Sequence, residues 1–103
     1  METNAAGLPA VGTLQLRQQE IPFDHPDSRW MFRKRLVATR AAHETFAPEI
    51  ILRCHEALMR LAREHSGIDY LQVFVTDTLS SDGPRLWFIE DVLAVTALLP
   101  SEY

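Results

Sequence analysis

The chain has 103 residues, 47% of them apolar and 23% charged, with a net charge of −4 and one cysteine. That length holds a single small core and leaves no room for a second domain, and the composition excludes a chain too polar to fold. One cysteine excludes an internal disulfide and a cysteine-built zinc framework, as expected of a reducing compartment.

Charge is unevenly spread. Residues 66–103 carry Asp69, Asp77, Asp82, Glu90, Asp91 and Glu102 against Arg85 alone, a balance of −5, while residues 1–65 stand at +1. An acidic half repels phosphate and suits either solubility or a basic protein partner. No basic leader with an apolar core opens the sequence, and nowhere do 18 apolar residues run together. The expectation is a cytoplasmic protein that does not engage a membrane.

Residues 1–12 mix Gly7, Pro9, Gly12 and small side chains and read as a flexible lead-in. TLQLRQQ (13–19) alternates enough for a short strand. IPFDHPDS (21–28) packs two prolines, two aspartates and a serine into eight residues, which makes it a loop. WMFRKRLVATR (30–40) has period two, with Trp30, Phe32, Lys34, Leu36 and Ala38 on one face, and predicts a strand.

The spacing then predicts one long helix over 46–67. Pro48 fits a first turn, Gly67 a stop, and Thr45 stands upstream as a cap. Ile50, Ile51, Cys54, Ala57, Leu58, Leu61 and Ala62 repeat at three and four, opposite a wet face of Glu49, Arg53, Glu56, Arg60, Arg63 and Glu64. IDYLQVFVTDTL (68–79) reads as a long strand, SSDGP (80–84) as a turn, and RLWFI (85–89) as an antiparallel return. For 90–99 two readings compete: a helix opened by the Glu90–Asp91 pair, or a turn over 90–94 followed by the strand VTALL.

DYLQVF, LWFIED and the closing VTALLPSEY, in that order after a Thr-Arg strand and a proline-opened helix, resemble an uncharacterised family of small proteins carried by bacterial plasmids and phages. The resemblance covers roughly residues 31–103. The chain departs from the family pattern in the shorter segment between DYLQVF and LWFIED, and in VLA where a Gly-containing polar turn is usual. The resemblance implies a mobile-element origin and an antiparallel sheet with one packed helix. It favours the strand for 95–99.

Residues with chemistry give no catalytic motif. HEALM (55–59) and HETFA (43–47) begin like the zinc motif H-E-x-x-H, but Met59 and Ala47 stand where the second histidine belongs. Both histidines read as surface residues on or beside the helix. Cys54 lies on the apolar stripe and reads as core. Asp24, His25 and Asp27 in the proline-rich loop read as turn chemistry. Glu90 and Asp91 are chain neighbours, which in a strand point to opposite faces and make no dyad.

The expected fold is therefore α+β: an antiparallel sheet of three to five strands with one long amphipathic helix packed on a face, residues 13–103 forming a single domain. The expected function is that of a non-catalytic accessory protein of a mobile genetic element, without cofactor or metal, acting by protein–protein binding. Its sharpest form is an inhibitor of a bacterial defence complex such as a CRISPR effector, occluding a nucleic-acid-binding surface with an acidic face. Asp77, Asp82, Glu90 and Asp91 would form that face around Val92 and Leu93, apolar residues at a turn. The alternative is a nucleic-acid-binding regulator using Arg29, Trp30, Phe32, Arg33, Lys34, Arg35 and Arg40, a cluster of cations around aromatics. A homodimer through an uncovered sheet face stays open.

Overall fold

Two periodicities build the fold: alternation by two along five segments, and a three-and-four repeat along one. The computed structural model of the chain describes residues 2–4, 7–76 and 83–103. The elements are β1 (Glu2–Thr3), β2 (Pro9–Val11), β3 (Leu14–Leu16), β4 (Leu36–Ala38), α1 (Arg40–Thr45), α2 (Pro48–His65), β5 (Leu71–Thr76), β6 (Arg85–Glu90) and β7 (Val95–Leu98), with a closing 3-10 turn at Pro100–Glu102. The seven strands form one sheet in the order β1-β2-β3-β5-β6-β7-β4.

The α+β class with one long helix is as expected; the sheet is larger than three to five strands, and it is mixed. All pairings are antiparallel except β4 on β7, which is parallel. Within the segment read as a flexible lead-in, β1 and β2 extend the sheet and Leu8 and Val11 are buried in the core, so these residues belong to the domain. A two-residue loop joins Val11 to its partner Leu14, and its first residue, Gly12, takes φ +58, which glycine adopts without steric penalty. The expected antiparallel pairing of residues 68–79 with 85–89 is met by β5 on β6, with Phe74 opposite Leu86, while residues 77–79 and most of the turn expected at 80–84 lie outside the described residues. Residues 95–98 are a strand, so the helix alternative for 90–99 is excluded.

Leu14, Leu16, Phe74, Leu86, Phe88, Val95 and Ala97 point to one side and bury against Ile51, Cys54, Ala57, Leu58, Leu61 and Ala62 of α2. A fully buried Leu or Phe contributes about 1.5–3 kcal/mol, so this layer is the main source of stability. Cys54 belongs to it, and burial pushes its thiol up to about 12, although the Arg53 charge pulls the other way. At neutral pH it is a small hydrophobe. The other sheet face, with Leu71, Val73, Val75, Trp87 and Ile89, is half-buried.

Helix α2 opens with Pro48 after Ala47, which offers no side-chain cap; Thr45, expected in that role, is instead the last residue of α1. At the other end Ser66 takes the left-handed conformation, and the amides of Ser66 and Gly67 both return to the Ala62 carbonyl.

The parallel position of β4 has a topological cost. After β3 the chain must reach the far edge of the sheet, passing β5, β6 and β7, a distance of roughly 19 Å at ordinary strand spacing. Residues 17–35 make this crossing, and the Pro- and Asp-rich loop is its first half. It is fastened at successive strand ends. Gln19 Oε1 accepts from the Asp69 backbone amide and from Nε2 of the Gln72 side chain, Trp30 pairs with Ile68 through both backbone bonds, and the Arg35 carbonyl accepts from the Val95 amide. Phe23 stacks on His65 of α2 at 3.9 Å. Among the described residues no helix is long and apolar enough to cross a membrane.

Gly67 lies where α2 meets the crossing. A Cβ there would stand 2.6 Å from Ser28 O and Arg29 Cα, and φ is +120. Gly67→Ala is expected to destabilise the fold by about 3 kcal/mol, read as a lower urea midpoint at unchanged slope.

Candidate functional site

The second half of the crossing does not continue as a strand. Residues 30–40 alternate in sequence, but only Leu36–Ala38 enter the sheet. Phe32 adopts φ +57 and is fully buried. This left-handed turn breaks the alternation, and its cost of order 1–3 kcal/mol is offset by burial of the phenyl ring and by two polar contacts.

Those contacts come from distant elements. Glu90, the last residue of β6, accepts from the Phe32 amide through Oε1 at 2.8 Å and from Lys34 Nζ through Oε2 at 2.9 Å. His55 of α2 faces the Phe32 carbonyl at 2.7 Å through Nε2. A carbonyl only accepts, so that nitrogen carries the proton. His55 is thus a buried anchor of the crossing where a surface histidine was expected, and no sequence pattern identified it.

The predicted partner-binding residues separate. Glu90 is 4% exposed and spent on internal contacts, so it is no part of an acidic surface: the crossing lies over the end of β6 and covers it. Asp77 and Asp82 lie outside the described residues. Asp91, Val92 and Leu93 stay together at the β6–β7 turn, where Val92 and Leu93 are each 79% exposed. The Asp91 carboxylate accepts from the amides of Leu93 at 2.8 Å and Ala94 at 3.0 Å, and its own amide donates to the Ala94 carbonyl. Held this way, the turn presents two apolar side chains on a fixed backbone.

The predicted nucleic-acid residues also divide. Phe32 is in the core and cannot stack on a base. Arg40 is on α1, paired with Glu44 at 3.3 Å, and Arg35 is exposed at the start of β4. Arg29, Trp30, Arg33 and Lys34 remain together, lining with Met31 and Glu90 a cavity of about 320 Å³. Arg29 and Lys34 lie 5.3 and 5.1 Å from the Trp30 ring centre. A second cavity of about 280 Å³ is lined by Arg33, Glu56, Met59, Arg60 and Arg63, so Arg33 borders both. The helix arginines were placed on the wet face by their spacing; nothing local in the sequence shows that Arg33 joins them.

The loop histidine takes part in turn chemistry, as read from its surroundings: His25 Nδ1 accepts from the Asp27 amide at 3.0 Å. No protein-family model, curated protein or solved structure matches the chain.

Two measurements check this geometry. Glu90→Ala leaves the Phe32 amide without a partner and is expected to cost about 1–3 kcal/mol in urea unfolding. Glu90→Gln, which keeps an acceptor and loses the charge, should cost less. The second concerns Asp91, whose carboxyl is held below the usual carboxylate range by the Leu93 amide and then the Ala94 amide. With the folded value below the unfolded one, the order of the turn persists above the ordinary carboxylate range and is lost as pH falls through the lowered value. The Leu93 and Ala94 amide resonances should therefore titrate together, below the ordinary Asp value of about 3.9.

Proposed function

We propose that the protein is a small non-catalytic accessory protein that acts by binding another protein through the β6–β7 turn. The observation that carries this reading is the pair Val92 and Leu93, each 79% exposed on a turn braced by Asp91. Two adjacent apolar side chains held in water by a preorganised backbone lose little conformational freedom when a partner pocket takes them up, which favours association. Asp91 beside them adds one carboxylate suited to a basic rim.

The finer form of the proposal is occlusion of a nucleic-acid-binding surface of a bacterial defence complex such as a CRISPR effector, in keeping with the mobile-element origin that the family resemblance implies. Of the acids expected on that face, Asp91 supports it and Glu90 does not. The occluding surface would then be chiefly apolar.

Tagged wild-type protein and the Val92→Ser/Leu93→Ser double variant, mixed with purified effector complexes of this class, test both levels. The proposal expects a saturable complex with the wild type, weakened at least tenfold in the double variant, with no fall in melting temperature. Equal binding by the two proteins would remove the turn from the interface. Failure with every effector complex, beside a specific complex with another protein that depends on the turn, would overturn only the finer form.

A further inference from the structure

Half of the chain's ten Lys and Arg residues border the two cavities that meet at Arg33. Arg29, Arg33, Lys34, Arg60 and Arg63 stand there against the carboxylates of Glu56 and Glu90, a surplus of three positive charges on a chain whose net charge is −4. We propose that this face binds single-stranded nucleic acid, with phosphates on Arg33, Arg60 and Arg63 and a base against Trp30.

Four features of the geometry support it. Glu90 is already neutralised by Lys34 at 2.9 Å and turned inward to the Phe32 amide, so it does not repel phosphate with a free charge. Arg33 is exposed on a backbone fixed on one side by Phe32 and on the other by the Arg35–Val95 bond. Arg60 and Arg63, at i and i+3 on α2, are neighbours on one helix flank and both exposed. The half-buried Trp30 ring, pinned through its backbone to Ile68, has the exposed Arg29 guanidinium over it, a side chain that a base can displace while keeping a cation beside the stack.

Cations tracking a backbone next to an aromatic platform are the arrangement of single-strand binders; an acidic peptide would use the arginines and leave the tryptophan idle. A duplex reader needs an element that enters a groove. Here the cations are divided between a helix flank and an irregular connection, around two concavities. The face uses none of the residues of the β6–β7 turn, so it stands or falls apart from the protein-binding proposal.

The test is fluorescence anisotropy of the full chain with labelled fifteen-residue oligo-dT and oligo-U, a duplex of equal length, and poly-glutamate, at 50 and 200 mM salt. Three phosphate contacts on a single strand predict a loss of affinity of about 20-fold between the two salt concentrations. Arg60→Glu/Arg63→Glu, both on exposed positions, should abolish binding at 200 mM salt and flatten the salt dependence. Trp30→Ala should weaken binding roughly 5- to 150-fold at constant salt, and Trp30→Phe, which keeps a stacking ring and guards against misfolding, should retain most of it. Val92→Ser/Leu93→Ser should bind as the wild type does. No binding at 50 mM salt, a preference for duplex or poly-glutamate, or indifference to the Arg60 and Arg63 reversal would overturn the proposal.

Discussion

The backbone that crosses the strand ends between β3 and β4 is irregular and runs mostly exposed, burying only Ser28 and Phe32, so the polar groups it does turn inward must find partners. An unpaired amide or carbonyl there costs about 1–3 kcal/mol, a large fraction of what a domain of this size has in hand. All five buried polar residues in the described structure, Ser28, His55, Asp69, Gln72 and Glu90, belong to this crossing or hydrogen-bond to it. Two buried side-chain atoms among the described residues, Asp69 Oδ1 and Trp87 Nε1, have no hydrogen-bond partner. The position of Phe32 shows the balance: a strained φ is retained because ring burial and two charge- or ring-assisted contacts act on the same residue.

The same constraint builds both candidate surfaces. Turning Phe32 inward leaves Arg33 on the outside, next to the α2 arginines, and it places Lys34 between Glu90 and Trp30. One residue beyond Glu90 the chain enters the Asp91 turn, whose carboxylate also feels the Lys34 charge. An apolar tip and a cationic concavity thus share one end of the sheet, with Glu90 and Lys34 between them.

Elements governed by local pattern were legible in the sequence: α2 from its three-and-four stripe between Pro48 and Gly67 and the β5–β6 pairing from its branched and aromatic runs, while β7 was one of two readings that the residues 90–99 left open. What depended on contacts distant along the chain was not. Glu90 reads as a turn acid because its neighbour is Asp91, and only the Phe32 amide, 58 residues earlier, makes it a buried acceptor. His55 falls beside the apolar stripe, where spacing alone allows either environment. The alternation of residues 30–40 is real, yet a single left-handed residue cancels it, and no side-chain pattern marks Phe32 as that residue. β3 was legible within 13–19, whereas β1 and β2 were hidden by short length and by glycines whose place in a hairpin is as natural as in a tail.

A buried ion pair is by itself weak evidence for stability, since well-packed apolar residues of the same volume often serve as well or better. Glu90 and Lys34 are not free to make that exchange. One carboxylate oxygen is committed to a backbone amide, which no substitution of Phe32 except proline removes, and proline could not take the positive φ found there. The acceptor must therefore stay, its charge must be met, and the part-exposed Lys34 meets it at 2.9 Å. This removes one cation from the outer face and leaves that face to arginines. Their planar, multiply donating heads suit phosphate better than a lysine already drawn inward.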